Sequence, residues 1–222
     1  MLNHEEKYFT KLVSALNINI NDGELIKTND PVKKKYKQFL LITTKIGFFI
    51  VSKPKMRRKT KVKYFASYFD IEGFDFPSKN TISFHFKKSS YSDGSDDSLA
   101  IEMANESALQ TFIINVVDSY LKFSSDSPMF KLLKINNPPF GISQQPKLIN
   151  DCNNTVLRYL SACAKYQQPL DQKTKDIFEQ YRSPNDLHVM EFDNRCQMPI
   201  HYKTIALPLI HVTNLKILIF DG

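Results

Sequence analysis

The sequence predicts an α+β protein: about seven strands closed by one helix, then a helical segment, then the start of a strand–helix repeat. Three observations predict it. Between positions 25 and 103 the apolar residues fall in short alternating or continuous runs separated by turn residues, as strands require. From 105 to 121 the period lengthens to that of an amphipathic helix. Near the end, two segments of like apolar spacing recur 28 residues apart.

The elements follow in order. Residues 5–16 put Tyr8, Phe9, Leu12, Val13 and Leu16 on one helical face, and the polar run from Asn17 to Gly23 ends that helix. Leu25-Ile26-Lys27 reads as a first strand, with Asn29-Asp30-Pro31 as its turn. Segments 36–43 and 46–52 read as a hairpin about Lys45-Ile46-Gly47. Segment 62–71 and Phe74-Asp75-Phe76 read as further strand, broken at Gly73. Segment 81–86 alternates Ile82, Phe84 and Phe86 with Thr81, Ser83 and His85, a half-buried strand with His85 facing solvent. A polar loop at 89–98 leads to a last alternation of Leu99, Ile101 and Met103. The helix then carries Ala108, Leu109, Phe112, Ile113, Val116, Val117, Tyr120 and Leu121 on one stripe, with Asn105 placed to cap its N-terminus. A small twisted sheet needs one face covered, and a helix after the last strand does this.

Charge is concentrated in one window. Between Asp30 and Asp70 there is no acidic residue, and the twelve basic ones are Lys33, Lys34, Lys35, Lys37, Lys45, Lys53, Lys55, Arg57, Arg58, Lys59, Lys61 and Lys63. The chain's net charge is +7, so the remainder carries −5. One basic cluster precedes the first strand of the predicted hairpin and the other follows its second strand, so the hairpin brings eleven of the twelve to one end. Clusters of about 4–8 Lys or Arg attract anionic lipid at up to ~1 kcal/mol per charge. The competing readings are a solvated loop and a nucleic-acid surface. Against nucleic acid, Phe48, Phe49, Tyr64 and Phe65 sit in core-like runs rather than between the basic residues as stacking platforms.

Other chemistry is excluded by pattern. Cys152, Cys163 and Cys196 are odd in number and widely spaced, which predicts reduced thiols in a cytoplasmic setting. No run of about 18 apolar residues is present to span a bilayer, and the acidic first residues are not read as a signal peptide. The six glycines form no phosphate-cradling loop. The five histidines have no ligand spacing with the cysteines, and Asp93, Asp96 and Asp97 do not follow a calcium-loop order. The expectation is therefore no catalytic residue, no metal, no cofactor and no enzyme.

In the second half, Leu148, Ile149, Cys152, Val156, Tyr159, Leu160 and Cys163 share a helical face within 147–166, and 170–181 offers a second helix with Ile177 and Phe178 inward. Leu187 to Phe192 and Leu215 to Phe220 both fit apolar-x-x-apolar-x-apolar. Leucine-rich repeats run about 20–29 residues with this pattern on their strand. Ile200, Ile205, Leu207, Leu209 and Ile210 would then fill the convex side. Two ordinary buried strands are the alternative.

Strands followed by one closing helix, with basic loops at a hairpin end, resemble a pleckstrin-homology domain. Lys27, then Lys35-x-Lys37 leading into Phe39-Leu40, is similar to that family's lipid motif, with Lys where Arg is usual. The resemblance implies a β-barrel or sandwich whose lipid-binding residues are Lys27, Lys35, Lys37, Lys53, Lys55, Arg57, Arg58, Lys59 and Lys61, with broad attraction to acidic phospholipids. Such a domain followed by a helical linker and leucine-rich repeats resembles the amino-terminal part of the CARMIL family of actin regulators, most closely over 36–52 and 186–222. The implied division is an N-terminal helix at 1–17, a pleckstrin-homology-like domain at 18–125, a helical linker at 126–184 and the first leucine-rich repeats at 185–222. The resemblance further implies a cytoplasmic protein, peripheral at the plasma membrane, whose actin-cytoskeleton partners belong to a longer parent. A protein–protein interaction module that adds a peptide at a sheet edge is the alternative.

Overall fold

The computed structural model describes residues 24–29, 36–52, 62–87, 98–125, 127, 130–142, 154–180, 189–192, 202–212, 215 and 217–220. The chain divides into two compact units, Asn19–Tyr120 with Leu132–Gln145, and Met1–Ile18 with Leu121–Lys131 and Pro146–Gly222.

The first unit is a sheet closed by a helix. Its strands are β1 (Glu24–Asn29), β2 (Tyr36–Thr44), β3 (Gly47–Ser52), β4 (Val62–Ser67), β5 (Ile71–Ser78), β6 (Thr81–Phe86), β7 (Ser98–Glu102) and β8 (Lys134–Asn136), and helix α1 spans Glu106–Ser124. The strand order is β4-β3-β2-β1-β7-β6-β5-β8. Strands β1 to β7 pair antiparallel, whereas β8 joins β5 in parallel. Seven antiparallel strands followed by one helix agree with the expected α+β order of elements.

The β2–β3 hairpin turns at Lys45-Ile46, and Gly47 follows with φ of 146°. A Cβ at Gly47 would lie 2.0 Å from the carbonyl oxygen of Ala66 on β4, so only glycine lets β4 approach here. The core is aromatic. Phe48 meets Phe84 at 4.8 Å and Phe112 of α1 at 5.8 Å between ring centroids, which ties β3, β6 and the helix together. Asn105 Oδ1 accepts a hydrogen bond from the Ala108 amide at 2.9 Å, the expected cap.

Three expectations for this unit are corrected. Strand β4 stops at Ser67, because Tyr68 leaves the strand to bury its ring and donate its hydroxyl to the Thr44 carbonyl at 3.0 Å. Gly73 does not break a strand. It lies within β5, at an irregularity between Ile71 and Gly73. Residues 132–145, read as the start of a linker, return to the sheet unit and supply β8. A three-residue strand is too short for an alternation to reveal it.

The second unit holds α2 (Asn154–Lys165), α3 (Gln172–Gln180), β9 (Val189–Phe192), α4 (Tyr202–Leu209) and β10 (Ile217–Phe220). Val156, Tyr159, Leu160 and Cys163 are buried as their spacing predicts, and so is Phe178. Burial pushes the Cys163 thiol up to about 12, so it is a packing group. Arg158 is fully buried, donates from Nη2 to the Phe123 carbonyl at 2.9 Å and lies over the Phe130 ring. The sequence gives no sign of this, since a lone basic residue on a helix ordinarily faces solvent. Strands β9 and β10 pair in parallel with Ile217 opposite Val189, an offset of 28 residues, and α4 lies between them in the chain. Ile205 and Leu209 are buried on α4 as expected. Ile210 is 57% exposed, because the helix has ended at Leu209 and the next residue turns outward. The residues 5–16, Leu148, Ile149, Cys152, Leu187 and Ile200 lie outside the described residues.

Candidate anion-binding surface

Strand register decides where the basic segments enter the sheet. Asn29 of β1 pairs with Tyr36 of β2, and Phe39 of β2 pairs with Ser52 of β3. The β1–β2 connection and the β3–β4 connection therefore leave the sheet at one end, and the Lys45-Ile46 turn lies at the other. Strand β7 runs antiparallel to β1 with Thr28 opposite Ile101, so its first residue, Ser98, points to the same end as Asn29. Three strand connections thus meet the β1–β2–β3–β7 region at a common end.

The nine predicted site residues divide unequally. Lys27 and Lys37 are described and exposed. Lys27 faces Gln38 on one side and Glu102 on the other, and its Nζ donates to Glu102 Oε1 at 3.1 Å. Lys37 sits opposite Thr28 on the neighbouring strand. Lys35 on the β1–β2 connection, and Lys53, Lys55, Arg57, Arg58, Lys59 and Lys61 on the β3–β4 connection, lie outside the described residues. Lys63, which the site assignment omitted, is exposed at the start of β4.

Sequence reasoning missed Glu102. Its signal was present: it occupies a polar position in the Leu99-x-Ile101-x-Met103 alternation, one residue away from the buried Ile101. What the sequence lacked was the β1–β7 pairing that sets it beside Lys27. His85, expected to face solvent, is half-exposed, with Nε2 at 3.1 Å from Asp75 Oδ2. Among the described residues no group of three His, Cys, Asp or Glu could hold a metal ion. None of the described helices is long and apolar enough to cross a membrane.

No family model matches the chain, and no curated protein does. Among solved structures, the Slm1 pleckstrin-homology domain in complex with inositol 4-phosphate aligns at 7% identity over 43% of this chain and 90% of its own, with a TM-score of 0.34. A second Slm1 pleckstrin-homology structure aligns at 7% identity over 43% and 92%, with a TM-score of 0.35. The hSac2 domain from the human phosphoinositide phosphatase Sac2 aligns at 16% identity over 64% and 100%, with a TM-score of 0.36. At these TM-scores none of the three carries weight for the fold or the function of this chain.

Proposed function

We propose that the sheet unit is a non-enzymatic membrane-recruitment module that captures acidic phospholipids on its basic end, as part of an actin-cytoskeleton regulator of the CARMIL type. One observation carries this reading: the strand register sends both acid-free basic segments out of the same end of the sheet. Basic charges that share one surface each add up to ~1 kcal/mol to anionic-membrane binding. The aromatics do not offer an alternative nucleic-acid platform, since Phe48 and Phe49 are both buried and Phe49 stacks on Phe65 at 4.5 Å. The parallel β9–β10 pair at a 28-residue offset supports a leucine-rich repeat beginning near 185, and with it the CARMIL order of domains.

Sedimentation with vesicles tests the reading. The protein is expected to bind mixtures of neutral lipid with phosphatidylserine or with phosphoinositide, to ignore neutral vesicles, and to dissociate as salt is raised. Screening over about 8 Å at physiological ionic strength gives that salt dependence. Binding to phosphoinositide alone would replace a broad surface with a defined headgroup pocket, and no binding at all would remove the proposal.

Glu102 is expected to hold this surface back. Its carboxylate neutralises Lys27, so Glu102→Gln should tighten binding to anionic vesicles about fivefold, the effect of ~1 kcal/mol. The exposed pair adds little to stability, and the melting temperature should stay put. Unchanged binding would remove Lys27 from the site.

A further inference from the structure

We propose that the outer edge of β5 is a strand-accepting site for a basic, extended peptide, and that β8 closes it in cis. The edge is shaped to receive a backbone. At Gly73 a Cβ would lie 2.2 Å from the carbonyl oxygen and 2.7 Å from the Cβ of Lys134, so only a glycine leaves room for the incoming strand. Lys134 pairs with Gly73, Ile135 with Phe74 and Asn136 with Asp75.

The chemistry of the edge is acidic with apolar seats. Glu72 Oε1 accepts from Lys134 Nζ at 2.8 Å, and that ammonium holds the Glu72 carboxyl below its usual range. Asp75 meets His85 through Oδ2, while its Oδ1 is buried and, among the described residues, accepts no hydrogen bond. Leu133 is buried, and the Phe140 ring packs against Phe76 at 5.8 Å. A matching partner is an extended segment with apolar anchors, a Lys or Arg in the place of Lys134, and a side-chain donor in the place of Asn136 that reaches Asp75.

The cis strand is built to be displaced. It has three residues and runs parallel, the slightly weaker pairing. Lys134 and Asn136 are exposed, Leu132 just before them is 63% exposed, and Asn137 follows with φ of 51°. Peptide addition at a sheet edge takes its affinity from such main-chain pairing and its specificity from neighbouring side chains.

The test uses the full chain with Lys134→Gly, Ile135→Gly and Asn136→Gly together, and a fluorescent peptide of residues 131–140 as probe. Anisotropy should show the variant binding at least about tenfold tighter than the native protein, whose edge is filled, a difference of ~1.4 kcal/mol. Adding Glu72→Lys should weaken that binding about fivefold. Equal binding by both proteins, or none by a variant that melts like the native chain, would overturn the proposal. Should the variant fail to fold, hydrogen exchange on the native protein decides. The Lys134–Asn136 amides should exchange at least about 100-fold faster than those of β6. Equal protection would mean that β8 is a fixed part of the sheet.

Discussion

Reversing Arg57, Arg58 and Lys59 to Glu is expected to release the protein from anionic vesicles. Each reversal removes one positive charge and adds one negative charge, so the surface changes by six units of charge. At up to ~1 kcal/mol per charge, and with screening discounting the full sum, the loss should be at least about 100-fold. The three residues lie in the chain between the end of β3 and the start of β4, and the melting temperature should stay within about 2 °C, as it usually does for charge substitutions outside the core. Sedimentation and thermal melts on the same samples check both statements. A variant that still binds phosphatidylserine vesicles with native strength would move the site elsewhere.

Phe48→Ala is expected to have the largest effect on stability. Phe48 is fully buried and touches rings on β6 and α1 at once. Truncating a buried Phe to Ala costs about 3–5 kcal/mol in lost transfer and cavity terms. For a unit of this size that lowers the melting midpoint by about 12 °C or more. Phe65→Ala makes the comparison, since Phe65 is only half-buried on edge strand β4 and should cost about 1 kcal/mol. Circular dichroism melts measure both. Equal losses would mean that the sheet–helix contact at Phe48 does not anchor the core.

Local patterns made most of the sheet unit legible. The bounds of β6 follow from strict alternation, and Asn105 announced the start of α1 because an Asx cap needs only its own side chain and the next turn. Strand β3 was legible for a different reason: a continuous apolar run buries both faces, as the burial of Phe48 through Val51 bears out. What escaped the sequence depends on distant partners. β8 is recognisable only through the gap that Gly73 leaves for it, and Glu102 acquires a role only through pairing with β1. Arg158 is buried against the Phe123 carbonyl 35 residues away, a contact no window of the sequence contains. For the candidate site, the clustering of charge was legible, and register supplies the shared end of the sheet. In the second unit, the repeat spacing alone located the two strands that pair in parallel.

The β1–β7 pairing has a consequence for assembly. Within β1 to β4 and within β5 to β7, each strand pairs with its neighbour in the chain. The seam between them is different: Lys27 and Glu102 are 75 residues apart, and Thr28 Oγ1 donates across it to the Ala100 carbonyl at 2.6 Å. Closing a loop of that length costs about 2 kcal/mol more entropy than closing a ten-residue turn, before any contact across it is gained. Such long-range contacts slow folding in proportion to their share of the structure. Closing this seam is therefore expected to limit the folding rate of the sheet, and loosening it with Thr28→Val should speed unfolding more than it slows folding.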